Sequence, residues 1–421
     1  MNNPSIHKMP SDSDYQILIV GAGIAGLHCA MRLSEGCTKK IAVTEAYDYV
    51  GGRCFTYRKA SPHVQWESGA GRIHASHKMI THYVNKYKLT KIPLSAEEGW
   101  ISSQQKEIKR NTWADISDFI ISILSHLPPS TLGRYTVEEL LNKVYGESET
   151  KILLHHFPYR SEINTMRADL ALNSLKGEMG AEGGFYTVKE GLDTLMKRMR
   201  ATLEYRGVKF LFNHRLSSIE KHTTPIVCKF ANTTLLADKV ILAVHSDALK
   251  QINPFQNLPA LKYLKMQPLL RTYSVYPTPA WFEGFPKMIT DSPLRFIIPI
   301  RADKGIIMSS YTDAENTRPW AKILNTEGEA SLEREIRKET RALFPDLDIP
   351  RPTFFKAHLW KHGCTYWTPG LYNPTYLSEK IMRPLPSCWQ NVYVCGESYS
   401  ERQAWIEGAL EHSEKLLRKF F

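Results

Sequence analysis

The sequence predicts an α/β fold built on a parallel sheet covered on both faces, joined to a second domain of mixed α+β character. Three observations carry this. The run Q-I-L-I-V after Tyr15 is short and uninterruptedly apolar, as a strand buried on both faces must be. Glycines at 21, 23 and 26 follow it directly and open a helical pattern through Leu27, Ala30, Met31 and Leu33. A second apolar run from Lys40 to Thr44 then ends at Glu45, so strand, helix and strand succeed one another as in a βαβ unit.

Later segments extend this frame. From about Ile80 to Ser174 the spacing is helical, and Thr136-Val-Glu-Glu139 reads as a capping box ahead of Leu140, Leu141 and Val144, which predicts a helical insertion. At Gly183 the pattern changes, and Leu192, Leu195, Met196, Met199 and Leu203 recur at helical spacing before strand-like runs at Lys209 to Phe212 and Lys239 to Val244. These are expected to rejoin the first sheet. Residues 259–387 mix strand-like runs (Arg271 to Tyr276, Phe296 to Ile300, Ile306 to Tyr311) with a charged helix, Glu329 to Leu343, that stops before Pro345. Asn391 to Phe421 reads as strand, turn and helix. The expected organisation is a discontinuous nucleotide-binding domain over residues 1–78, 183–258 and 388–421. A substrate-binding domain over 79–182 and 259–387 would complete it, with a pocket at their interface.

Composition narrows the function classes. The 421 residues, 43% of them hydrophobic, suffice for two packed domains. The formal net charge of +11 is spread along the chain without a dense basic run, so solvated surface is expected and nucleic acid is not. The seven cysteines contain no C-x-x-C pair, which argues for a reducing compartment and against a bound metal. Residues 1–14 are polar, read as a frayed tail, and no run reaches the roughly 18–20 apolar residues of a membrane span. A soluble, cytoplasmic protein without a membrane partner is the expectation.

Gly21-Ala22-Gly23-Ile24-Ala25-Gly26 forms G-x-G-x-x-G between a strand and a helix, the context in which that pattern binds a dinucleotide. Backbone N–H groups and the helix N-terminus can then approach a pyrophosphate. Glu45 stands nineteen residues beyond Gly26 at a strand end, where a carboxylate accepts hydrogen bonds from ribose hydroxyls. Gly51-Gly52-Arg53 follows. The double glycine lets the chain lie close to a cofactor, and the arginine can reach a phosphate.

Taken together, G-x-G-x-x-G, the acid and E-x(5)-G-G-R resemble the flavin-containing amine oxidases, the family of the monoamine, polyamine and L-amino-acid oxidases. The C-terminal Val392-Tyr-Val-Cys-Gly396-Glu397 and Trp405-Ile406-Glu407-Gly408-Ala409 resemble that family's closing motif. Further segments (Gly183-Gly184-Phe185, Val240 to Val244, Trp360 to Gly370) are also similar, so the resemblance spans most of the chain. It implies FAD as the cofactor, with Ala46 beside Glu45, Glu397 near the ribityl chain, and Ile406 to Ala409 near the flavin ring. It also implies hydride transfer from an amine α-carbon to the flavin, with O2 as acceptor and hydrogen peroxide as by-product; a homodimer is left open. The cofactor is expected to be non-covalent, because the place of the attaching cysteine in monoamine oxidases falls on His362, two positions from Cys364.

The same resemblance suggests substrate residues. Glu67-Ser-Gly69-Ala70-Gly71-Arg72-Ile73 continues the family pattern, and Arg72 matches the arginine with which L-amino-acid oxidases grip a carboxylate; contact with the flavin or a structural carboxylate is the alternative. Trp405 matches an aromatic wall beside the flavin, against a core tryptophan, and Tyr366 or Trp367, in the loop G-C-T-Y-W-T-P-G, could form the opposite wall. Arg271 stands where most of the family carries a lysine bridged by water to the flavin, unless Lys262 or Lys265 serves instead. An arginine is a poor base, which leaves open a flavin-binding protein with little turnover. A desaturase or porphyrinogen oxidase would share the same cofactor motifs. His74, His77 and His82 lie close in sequence without metal-ligand spacing.

Overall fold

The computed structural model describes residues 13–36, 38–102, 109–110, 112–155, 157–177, 184–220, 225–386 and 389–421. Most of the expected N-terminal tail, Cys37, Gly183 and Cys388 lie outside them.

Five parallel strands form one sheet in the order Lys209–Leu211, Ile41–Thr44, Tyr15–Val20, Thr234–Leu242 and Val392–Val394. The first half of Thr234–Leu242 turns instead to an antiparallel pair with Ile226–Phe230, which in turn pairs with Leu216–Ile219. Why residues 17–20 of the central strand are all apolar is now visible. Ile17 and Ile19 join Leu27, Met31, Leu195, Met199 and Leu410 in one core, beneath the helices Ile24–Leu33, Leu192–Tyr205 and Ile406–Phe420. Leu18 and Val20 point the other way, into a second core with Val240, Leu242, Ile163 and Leu172. Alternate side chains therefore serve opposite layers.

A second, largely antiparallel sheet runs Phe354–Trp367, Leu264–Val275, Ile306–Asp313, Phe296–Arg301, Lys287–Thr290, Glu98–Ile101, Lys109–Arg110. The charged helix Glu329–Leu343 ends where Pro345 requires it, and buries Leu332, Ile336 and Leu343 with Trp320 in a third core. The capping box forms as read: Thr136 N–H donates to Glu139 Oε2 at 2.8 Å, and Glu139 N–H to Thr136 Oγ1 at 3.1 Å.

Two sequence expectations need correction. The segment from Ile80 to Ser174 is not purely helical, because it also contributes Lys91–Pro93, Glu98–Ile101 and Lys109–Arg110 as strands. Glu98–Ile101 is a strand through its pairing with Lys287–Thr290, a partner nearly two hundred residues away that no local spacing reports. The stretch around Trp360 to Trp367, expected as a loop, lies inside a 14-residue strand. Its residues 358, 360, 364 and 366 are polar or aromatic, and the alternation that normally signals a strand is hidden by them.

One close approach holds the first turn together. A Cβ on Gly26 would lie 1.9 Å from the Gly21 carbonyl oxygen and 3.3 Å from Ala243 Cβ, so the helix can reach the strand end only without a side chain there. Gly26→Ala is therefore expected to cost about 1–3 kcal/mol, read as a lower unfolding midpoint in urea; an unchanged midpoint would contradict this packing.

Candidate functional site

The two sheets enclose a cavity of about 800 Å³. Its first wall is the βαβ turn. Gly23 N-caps the helix Ile24–Leu33 with extended backbone, and a Cβ there would meet nothing within 4 Å. The unpaired N–H groups of the first helical turn thus face open space, which suits a negatively charged group. Gly21, Gly23, Ile24 and Ala25 line the cavity. Gly26 does not: it packs against the Gly21 carbonyl and Ala243 instead.

Glu45 is buried, with Oε2 accepting from Ala22 N–H at 2.8 Å and Oε1 from Tyr47 N–H at 3.1 Å. Burial raises its pKa, and these backbone donors, with Ala46 N–H, oppose the rise. The carboxylate thus braces the glycine turn and, with Ala46, remains part of the cavity wall. Gly51 N–H donates to the Ala22 carbonyl at 2.8 Å, drawing Gly52 and Arg53 onto the same wall.

Arg53 was expected to reach a phosphate. In the structure its Nη2 donates to Glu397 Oε2 and its Nη1 to the Gly363 carbonyl, both at 2.8 Å. Glu397, only 6% exposed, also accepts from Ala404 N–H at 2.7 Å and Thr365 N–H at 3.2 Å. The pair thereby ties the G-G-R loop to the C-terminal motif, with Gly396 beside it in the lining. His245, also in the lining, has its pKa lowered to about 3 by burial and the Arg53 charge.

Gly69, Ala70, Gly71 and Arg72 pass along the cavity next. A Cβ on Gly69 would fall 1.9 Å from the Arg53 carbonyl oxygen, and Ala70 N–H donates to that oxygen at 2.9 Å. Arg271, the residue at the expected lysine position, closes this segment from the second sheet. Its Nη1 donates to the carbonyls of Gly69 and Glu67, and its guanidinium lies 4.7 Å from the Tyr311 ring centre. It faces the cavity as a backbone clamp. Lys262 and Lys265, the other lysines considered, are exposed and outside the lining.

Beyond the clamp the wall is aromatic. Trp405, N-cap of the helix Ile406–Phe420, stacks on Phe185 at 5.8 Å, and Ile406 and Ala409 line the cavity from that helix. The Arg72 guanidinium lies 4.5 Å from the Phe185 ring, 5.4 Å from Trp405 and 5.9 Å from Tyr159, and Nη2 donates to Tyr159 Oη at 3.1 Å. Arg72 forms no ion pair among the described residues. Tyr366 and Trp367 part company: Tyr366 lines the cavity, whereas Trp367 points away, fully buried, with Nε1 donating to the Ser400 carbonyl at 2.9 Å. Successive side chains of a strand take opposite faces, so only one could belong to the wall.

The sequence reading missed Tyr159, Glu162, Gln267, Tyr311 and Asp313, which all line the cavity. In the antiparallel ladder Leu269 opposes Asp313 and Arg271 opposes Tyr311, so these four share one face. No alternation marked them: the strand Ile306–Asp313 reads I-I-M-S-S-Y-T-D, with polar residues on both faces of its second half. His362 stacks on His245 at 5.0 Å and pairs with Asp247 at 3.1 Å, within the lining. Among the described residues no group of three His, Cys, Asp or Glu side chains could hold a metal, and no helix is long and apolar enough to cross a membrane.

A family model described as flavin containing amine oxidoreductase matches residues 144–415, and one for an NAD(P)-binding Rossmann-like domain matches residues 19–87. An L-amino-acid oxidase of Crotalus adamanteus is 25% identical, over 94% of this chain and 85% of its own. Polyamine oxidase 7 of Oryza sativa subsp. japonica is 22% identical over 94% and 92%. Among solved structures, wild-type putrescine oxidase bound to putrescine superposes with a TM-score of 0.74, at 16% identity, over 96% of this chain and 98% of that one.

The ion pair at the centre of the cradle can be tested directly. Arg53→Ala leaves the buried Glu397 carboxylate without its counter-ion; discounting for the partial exposure of Arg53, a loss of about 2–3 kcal/mol is expected. Thermal unfolding of the apoprotein measures it, and Arg53→Lys should recover part of the loss.

Proposed function

Because this chain belongs to the flavin-containing amine oxidoreductase family, we propose that it is an FAD-dependent oxidase of L-amino acids. The observation that carries this reading is Arg72, a guanidinium inside the cavity, ringed by Phe185, Trp405 and Tyr159 and joined to no carboxylate among the described residues. Half-buried and held by aromatic faces, it offers two parallel donors to a carboxylate. The cradle fits the cofactor. Gly21, Gly23 and the helix Ile24–Leu33 would face the pyrophosphate, Glu45 the ribose, and Gly52 and Arg53 the neighbouring stretch.

The chemistry that a bound flavin supplies is acceptance of a hydride from the α-carbon, with O2 as final acceptor giving H2O2. The chain's own residues do the rest. Arg72 fixes the carboxylate and hence the direction of the α-carbon; Trp405 and Tyr366 wall the reacting group and keep water out. The Ile406–Phe420 helix presents its positive end to the cavity, where negative charge is favoured. With His362 engaged by Asp247 and Cys364 two residues away, attachment of the cofactor is non-covalent.

The Arg271 clamp favours a second reading, a flavin protein with little turnover, since a guanidinium held by two carbonyls is not free to move a proton. Anaerobic addition of L-amino acids to the yellow holoprotein separates the two: bleaching is expected for the oxidase, and persistent colour across amino acids and amines for the alternative. Acid precipitation should leave the flavin in the supernatant. Arg72→Ala should raise KM for amino acids at least tenfold while kcat falls less, and Arg72→Lys should recover only part of the affinity; an unchanged KM ends the carboxylate role.

A further inference from the structure

The cavity holds one acid group that the foregoing roles leave unused. Glu162 enters it from the short helix Ser161–Asn164. Asp313 positions that helix, accepting from Arg160 N–H at 3.1 Å and Ser161 N–H at 2.8 Å, and both of its oxygens are occupied in doing so. Glu162 is different. Its Oε1 accepts from Tyr366 Oη at 3.1 Å, while its Oε2 is buried and has no partner among the described residues. A carboxylate oxygen in that state is costly unless a donor arrives.

Its surroundings say which donor suits. Gln267 Nε2, the neighbouring amide, is already spent on Thr165 Oγ1 at 2.6 Å, and Tyr159 Oη receives Arg72. Burial, then the charge of Asp313, pushes the Glu162 carboxyl up to about 7, and the Arg72 charge works in the opposite direction. Arg72 and Glu162 both line the cavity, Arg72 with donors beyond its bond to Tyr159 and Glu162 with one oxygen left without a partner among the described residues. A simple diamine would satisfy the second and be repelled by the first. An apolar amino acid would leave Glu162 stranded.

We propose that Glu162 receives a second cationic group of the substrate, so that the cavity selects a basic amino acid, with the carboxylate on Arg72 and the side-chain ammonium or guanidinium on Glu162. This rests on the amino-acid reading of Arg72 given above. The substrate then meets Arg72 and Glu162 at once, and specificity comes from the penalty of leaving Glu162 Oε2 unpaired.

The test uses the holoenzyme under anaerobic conditions, with L-lysine, L-ornithine, L-norleucine and putrescine as probes, read by perturbation and bleaching of the flavin spectrum. Lysine or ornithine should bind at least tenfold more tightly than norleucine. In Glu162→Gln, which keeps an acceptor for Tyr366, the lysine-to-norleucine preference should fall at least tenfold, and flavin content reports whether the variant is folded. Equal weakening of lysine and norleucine, or no preference in the native enzyme, overturns the proposal while norleucine bleaching leaves the amino-acid reading standing. Tighter binding of putrescine than lysine overturns it through Arg72. If no probe perturbs or bleaches the flavin, both readings fall.

Discussion

Backbone lying directly against backbone is the constraint on which the cavity depends. At Gly26 and Gly69 a single added carbon would stand 1.9 Å from a carbonyl oxygen of another segment, too close for any side chain. Those contacts bring the first helix onto the strand end and the 67–72 segment onto the G-G-R loop. Without them the N–H groups of the first helical turn would not face the cavity. The surrounding cores are large and apolar, and they tolerate exchange of similar volumes; these contacts tolerate none.

Around that frame, charge is used in two ways. Some ion pairs are structural: Arg53, with Glu397 and the carbonyl of Gly363, binds the G-G-R loop to two stretches 344 and 310 residues away. Glu45 does similar work with its oxygens on Ala22 and Tyr47. Arg72 and Glu162 differ because their polar capacity is only partly used within the protein. Buried polar groups are ordinarily satisfied, and two incompletely engaged groups of opposite sign in one cavity are what a zwitterionic ligand with an added positive charge would complete.

Arg271 shows how a position can change its work while keeping its place. The resemblance matched its position to a lysine, and in the structure its guanidinium is held by the Gly69 and Glu67 carbonyls and lies against Tyr311. Tyr273 adds a bond to the Glu67 carbonyl at 2.6 Å, and Trp360 one to Ser68 at 2.7 Å. Three side chains of the second sheet thus grip one strip of the first domain. The planar fork of arginine can reach two carbonyls at once, so the residue that departs from the family pattern reinforces the junction between the sheets.

The cofactor half of the site was legible in the sequence because it is written locally. An apolar strand, three glycines at fixed spacing and an acid nineteen residues on form a contiguous unit whose hydrogen bonds need no distant partner. The substrate half was not. Glu162 comes from a four-residue helix, Asp313 and Tyr311 from a strand end, and Tyr366 from a strand read as a loop; they share a wall because the ladder sets Leu269 beside Asp313 and Arg271 beside Tyr311. Strand register decides which side chains face a cavity, and register is settled between segments, where a single sequence carries no mark of it. The sequence by itself therefore determined the glycine-rich turn, its acid and the wall they form, whereas the tertiary structure alone decided which charged side chains face the cavity, that Trp367 stays outside, and that Arg53 is engaged with Glu397.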